Sequence, residues 1–192
     1  MRPEEIEKTV EEIFALYEKY GTADYIGESI SQIEHQCQAA QLAERGGFDE
    51  EVILAAFFHD IGHLAEHVTD ANNMGGYGIK EHEKLGADFL RARGFTEKIA
   101  ALVESHVAAK RYLTFADENY YNQLSEASKK TLEYQGGRMT AEEAETFRNS
   151  DWFELKIQLR RWDEEAKLEN VPLPDLEKYK AMAIEVLTHK NK

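Results

Sequence analysis

Apolar residues recur at every third or fourth position along almost the whole chain, and that spacing leaves a narrow choice of fold. Ile6, Val10, Ile13, Phe14 and Tyr17 trace one face of a first helix, with Pro3 before it and Gly21 after it. A second helix is expected to begin near Ser29 or Ser31 and to stop at Gly46-Gly47. A third starts behind Asp49, an N-cap residue, with Glu50 and Glu51 near the positive helix end. Val52 to Phe58 are apolar on every side, so this helix should lie buried at the centre. Leu64 to Ile79 holds Asn72, Asn73, Gly75, Gly76 and Gly78 and reads as a loop.

Helical spacing returns with Leu85, Phe89 and Leu90 up to Gly94. It resumes behind Thr96 with Ile99, Leu102, Val103, His106 and Lys110. Leu124 to Tyr134 makes a short helix closed by Gly136-Gly137, and Thr140 with Glu143 has capping-box spacing. Trp152, Leu155, Leu159, Trp162 and Ala166 form one more stripe, which should place both tryptophans in the core. Pro172 and Pro174 break the chain before a last helix, about 175–189, carrying Leu176, Tyr179, Met182, Ala183 and Val186. Period-two alternation is scarce, and no linker, repeat or low-complexity tract interrupts the pattern. The expectation is an all-α fold, a helical bundle forming a single domain over residues 1–192.

Charge narrows the function. Lys and Arg number 23 against 37 Asp and Glu, a formal net charge of −14. Such a surface repels phosphate backbones and anionic lipids, so neither nucleic acid nor membrane is an expected partner. The single cysteine, Cys37, excludes an intrachain disulfide and a thiolate zinc cluster and should pack as a small core residue. The longest apolar run, Val52 to Phe58, is far short of the ~20 residues a bilayer span needs. The acidic start, Arg2-Pro3-Glu4-Glu5, is unlike a secretory signal, so a cytoplasmic location is expected.

The chemistry concentrates in the histidines, six of seven of which precede residue 107. His59-Asp60 closes the most apolar helix, where an ionisable pair is unfavourable unless something satisfies it. His63 follows His59 by four residues and shares its face if the helix continues through Gly62. His35, His82 and His106 each lie in line with an apolar stripe of their own helix, so each points inward. One such histidine is ordinarily a core residue bonded to a backbone carbonyl. Three of them converging with a His-Asp pair are how helical bundles build metal sites. Imidazole and carboxylate without thiolate suit iron, manganese, zinc or nickel alike.

The order His35, His59-Asp60, His82, His106, Asp163 resembles the HD-domain superfamily, in the version with two extra histidines before the last aspartate. Five local strings sharpen the likeness: Asp24-Tyr25-Ile26-Gly27-Glu28, Asn73-Met74-Gly75-Gly76-Tyr77-Gly78, His106 to Tyr112, Ser128 to Gly137, and Arg160-Arg161-Trp162-Asp163-Glu164. Together they resemble the PhnZ-type oxygenases, HD-domain enzymes of phosphonate breakdown. The resemblance implies an HD-domain bundle with a metal-binding core over about 25–165. It implies two iron ions, an Fe(II)/Fe(III) pair, with O2 as co-substrate. His35, His59, Asp60 and Asp163 would hold one iron; Asp60 would bridge; His82 and His106 would complete the second.

The same resemblance implies cleavage of the carbon–phosphorus bond of (R)-1-hydroxy-2-aminoethylphosphonate to glycine and phosphate, on substrate supplied by an upstream phosphonate hydroxylase. Lys110, Ser128, Thr131 and Arg160 would hold the phosphonate. Lys110 lies one turn after His106, Arg160 one turn before Asp163, and Ser128 and Thr131 share a face. An arginine fork matches phosphonate oxygens. Glu28 would take the ammonium group, and Tyr25 would occupy the open iron position until Glu28 engages the amine. His63 would orient substrate or handle a proton. A quaternary ammonium offers Glu28 no N–H, so this pair fits a primary amine. The alternatives are an HD-type metal-dependent phosphohydrolase, or an oxygenase of the same group acting on an N-methylated analogue.

Overall fold

A computed structural model describes residues 1–25, 28–65 and 81–190. The string at 73–78, His67, and Ile26-Gly27 of the first string lie outside the described residues. Among the described residues there are eleven helices and no strand. They are α1 (Pro3–Tyr20), α2 (Gln32–Arg45), α3 (Glu50–Phe58), α4 (Ile61–Ala65), α5 (His82–Ala92), α6 (Glu97–Ala116), α7 (Glu118–Gln123), α8 (Glu126–Tyr134), α9 (Ala141–Arg148), α10 (Phe153–Glu165) and α11 (Glu177–Lys190).

Local chemistry sets their starts. Ser31, Asp49, Thr96, Ser125 and Thr140 each accept a backbone N–H of the first turn, and Ser31 and Thr140 complete capping boxes with Glu34 and Glu143. α3 is buried from Val52 to Phe58 and forms the axis of the molecule. On one side α1 and α11 cover it, where Phe57 stacks between Phe14 and Tyr179 at 5.5 and 4.7 Å. On the other side α2, α6 and α10 pack round it and α5 lies along α6. Cys37 is buried, as its small apolar character implies.

Two expectations change. α3 does not run on to His63: it ends at Phe58, and His59-Asp60 form a buried turn before α4. α2 starts at Gln32 behind its Ser31 cap, as expected, and Tyr25 and Glu28 precede it. They sit in a tight turn closed by Tyr25 N–H to the Ile30 carbonyl and Glu28 N–H to the Tyr25 carbonyl, at 2.8 and 2.9 Å. Trp152 is 37 % exposed. It precedes α10 in the left-handed region, φ 56°, and so falls off the stripe that Leu159 and Trp162 continue into the core. Trp162 meets the Phe48 ring edge-on at 5.0 Å.

Candidate metal centre and cavity

Four imidazoles face one another in two pairs. The Nε2 atoms of His35 (α2) and His59 lie 3.0 Å apart, and those of His82 (α5) and His106 (α6) lie 2.9 Å apart. Three of these rings have their other nitrogen tied to a backbone carbonyl. His35, His59 and His106 donate Nδ1–H to Ala166, Ala56 and Val103 at 2.8, 2.8 and 2.7 Å. A carbonyl only accepts, so the proton of each neutral ring sits on Nδ1 and the Nε2 lone pair points into the centre. The fourth ring, His82, has the Glu83 carboxylate 3.5 Å from Nδ1.

Asp60 stands between the pairs. Its Oδ2 lies 3.6 and 3.4 Å from His35 and His59, and its Oδ1 lies 3.3 Å from both His82 and His106. Asp163 reaches the first pair from α10, with Oδ1 at 3.4 Å from His35 and 3.9 Å from His59. That oxygen is buried and accepts no hydrogen bond. Facing lone pairs, a carboxylate divided between them and an orphaned carboxylate oxygen all call for positive charge at two adjacent positions, and the donor set suits transition-metal ions. The electrostatics agree. Burial opposes charge on every group, yet the facing histidines and Arg160 hold Asp60 and Asp163 well below the usual carboxylate range. Burial pulls the His59 imidazole down, but Asp60 and Asp163 outweigh it and raise it to about 9.

A cavity of about 60 Å³ opens from this centre, against roughly 300–1,000 Å³ for sites of drug-sized ligands, so it suits a small substrate. Tyr25, Glu28, His63, Lys110, Ser128, Thr131 and Arg160 all line it, together with Asp60, His82, His106 and Asp163. Tyr25 lies flat on His35, ring centres 3.9 Å apart, and burial with the nearby Asp163 and Asp60 pushes its phenol well above the ordinary value. His63 stacks on His82 at 4.1 Å, and burial next to that ring drives its imidazole down to about 3, so it is neutral.

Lys110 and Arg160 are both buried. Lys110 donates to the Thr131 hydroxyl at 2.9 Å, and Thr131 donates on to the Ser128 carbonyl at 3.1 Å. Burial, then the Arg160 charge, lower its ammonium to about 7; Asp163 and Asp60 pull the other way and Lys167 adds to the lowering. Arg160 donates Nε–H to Tyr120 at 2.9 Å and pairs with Asp163 and Glu164 through its two terminal nitrogens. Burial works against its charge, but Asp163 and Tyr120 more than offset that.

Three residues near the cavity escaped the sequence reading. Glu164 follows Arg160 by one turn of α10, so helical spacing could have flagged it; Lys167 lies past the end of α10 at Glu165, where that spacing no longer holds. Tyr120 sits on α7, which has no buried residue and no apolar period to announce it.

Comparison with known proteins agrees with this geometry. Residues 33–156 match the HD domain model. The chain is 43 % identical over 185 residues, 96 % of its length, to the uncharacterized protein L432 of Acanthamoeba polyphaga mimivirus, covering 84 % of that protein. It is 37 % identical over 180 residues to a hydroxymethylphosphonate dioxygenase of Gimesia maris, spanning 94 % of this chain and 89 % of the relative. It is 38 % identical over 166 residues to a glycine-betaine-forming [1-hydroxy-2-(trimethylamino)ethyl]phosphonate dioxygenase of Leisingera caerulea, spanning 86 % and 84 %. The chain belongs to the HD-domain family. Within it, relatives matched over most of their length support an HD-type oxygenase. No described helix is long and apolar enough to cross a membrane.

Proposed function

We propose that this protein cleaves the carbon–phosphorus bond of (R)-1-hydroxy-2-aminoethylphosphonate with O2, giving glycine and phosphate. One substrate and one O2 balance one glycine and one phosphate. The observation that carries this reading is the cavity's lining: the buried cations Lys110 and Arg160, the hydroxyls of Ser128 and Thr131 and the Glu28 carboxylate all face the cavity that opens from the metal centre. A two-carbon molecule with a phosphonate at one end and an ammonium at the other finds a partner for each end among these groups.

His35, His59, Asp60 and Asp163 would hold one iron, and His82 and His106, with Asp60 shared, the other; an Fe(II)/Fe(III) pair held there would supply activation of O2, the oxidant. The remaining side chains bind and orient. Lys110 and Arg160 give the phosphonate two positive charges, and Ser128 and Thr131 give it hydroxyl donors. Glu28 accepts from the substrate ammonium. Tyr25 covers the His35 side of the cavity and swings away as Glu28 engages the amine, which keeps the centre shielded until a substrate arrives. His63, neutral beside His82, donates or accepts a proton at the substrate hydroxyl. The substrate's hydroxyl requires a preceding hydroxylation of the parent aminoalkylphosphonate.

The test is the iron-loaded, partly reduced enzyme supplied with this phosphonate, with hydroxymethylphosphonate and with the N-trimethyl analogue, with and without O2. Glycine and phosphate in equal amounts, one per O2 and fastest with the primary amine, is the expected result. Phosphate-ester hydrolysis with manganese and no oxygen uptake on any phosphonate would make the protein a phosphohydrolase. Glu28→Ala should raise KM for the primary amine by about 10- to 150-fold, the worth of a charge-assisted hydrogen bond of roughly 1.5–3 kcal/mol. It should change hydroxymethylphosphonate far less. Equal effects on both substrates would remove Glu28 from amine recognition.

Binding should also depend on pH through Lys110. Its ammonium is half-deprotonated near 7, and a phosphonate dianion beside it favours the charged form. Binding therefore takes up a proton above pH 7, and affinity falls as pH rises from about 7 to 9. Calorimetry in buffers of differing ionisation enthalpy would measure the uptake. Lys110→Met should abolish it; an unchanged uptake would assign the proton to another group.

A further inference from the structure

One oxygen of the Glu28 carboxylate, Oε1, is already engaged. The Lys167 ammonium lies 2.9 Å from its Oε1, and the Ser125 hydroxyl donates to the same oxygen at 3.0 Å. Lys167 also has Glu164 Oε2 at 3.6 Å, so a second carboxylate stands ready within a short swing of its side chain. All three of these charged side chains are largely buried, between 16 and 20 % exposed, and Lys167 lines the same cavity as Glu28.

The backbone that carries Lys167 is fixed on both sides. The Ala166 carbonyl accepts from His35, and Leu168 exchanges two hydrogen bonds with the Gln38 amide, at 2.9 and 3.0 Å. Any motion of Lys167 is therefore confined to its flexible four-carbon stem, which a lysine accommodates readily.

We propose that Lys167 is a specificity-determining residue: its ammonium holds the place of the substrate amine on Glu28, and only a substrate carrying N–H donors displaces it. The inference rests on the assignment of Glu28 as the amine acceptor. A primary ammonium replaces the charge-assisted bond it breaks with an equal one, and Lys167 moves to Glu164. A trimethylammonium brings charge but no N–H, so it cannot restore that bond. A substrate without an amine leaves the Lys167–Glu28 pair in place and keeps Glu28 neutralised beside the phosphonate dianion.

The test compares the iron-loaded wild type, Lys167→Met and Lys167→Arg. Binding is measured anaerobically by calorimetry and turnover in parallel, on the primary amine, the trimethyl analogue and hydroxymethylphosphonate. In Lys167→Met the Glu28 carboxylate has lost its counter-ion. The trimethyl analogue should bind about tenfold more tightly, and hydroxymethylphosphonate about tenfold more weakly. Millimolar methylammonium, standing in for the missing lysine head, should restore the affinity for hydroxymethylphosphonate. Lys167→Arg should keep the wild-type ranking. If the three affinities move together and methylammonium rescues nothing, Lys167 is only a structural ion-pair partner and the proposal falls. If wild type does not bind the primary amine more tightly than the trimethyl analogue, the proposal falls whatever methylammonium does; if it does, but turns over hydroxymethylphosphonate faster, the Lys167 device stands and the proposed substrate is wrong.

Discussion

Asp60→Asn should abolish turnover and strip metal from the centre. The change keeps shape and volume, but it replaces one carboxylate oxygen with an N–H donor. The other oxygen loses its charge. Each Asp60 oxygen faces one imidazole pair, at 3.3 to 3.6 Å. The amide can satisfy one pair at most, and it cannot offset the repulsion between two adjacent cations. Removing an outer-shell partner of a metal ligand typically costs about 10–100-fold, and a shared ligand should cost more than that upper figure. Metal per chain, measured by plasma emission, should fall from two towards one or none. A variant that retained two metals and a tenth of the activity would end the bridging assignment.

The metal-free protein offers a second readout of the same substitution. Asp60 is the main attraction that raises the His59 imidazole to about 9. A raised histidine stabilises the fold fully below the ordinary imidazole value near 6.5, and that contribution is lost as pH rises through 9. The melting temperature of the metal-free wild type should therefore drop across that window. The Asn variant should show a flatter profile there.

Gly62→Ala should damage the second histidine pair without touching a ligand. A Cβ at Gly62 would lie 1.9 Å from the His82 carbonyl oxygen and 2.7 Å from its carbonyl carbon, both backbone atoms that no side-chain rotation can move aside. α4 and α5 approach this closely because Gly62 faces Gly86 across the contact, with 3.1 Å between a Gly86 Cβ and the Gly62 nitrogen. The methyl must push α5 outward, and His82 leaves its 2.9 Å position opposite His106. Overpacking of this kind costs about 1–3 kcal/mol, which for a chain of this size lowers Tm by roughly 2–12 °C. Metal content should fall from two to one. Two metals and an unchanged Tm would mean that the helices separate freely.

The candidate metal centre was legible in part because three of its histidines sit in phase with the buried stripes of their helices. His35, His82 and His106 align with buried stripes of α2, α5 and α6, and His59-Asp60 ends the most apolar segment. The helix starts were legible too, since Ser31, Asp49, Thr96 and Thr140 act through bonds made within one turn. What remained hidden depends on long-range contact or on irregular backbone. The turn that folds Tyr25 onto His35 has no period. Lys167 meets Glu28 across 139 residues of chain, and Tyr120 meets Arg160 across 40. Trp152 has the right spacing for the α10 stripe, but it lies one residue ahead of the helix in a left-handed conformation that turns it to solvent.

The three carbonyls that receive the imidazole Nδ1 protons belong to Ala56, Val103 and Ala166, and every amino acid carries a carbonyl. No point mutation at those positions can delete the acceptor itself. The aim of these three imidazoles is thus encoded in the path of the main chain and not in a neighbouring side chain. Side chains on the cavity wall carry no such protection. Substitution there can change what the cavity accepts one wall residue at a time, while the imidazoles beneath keep their aim.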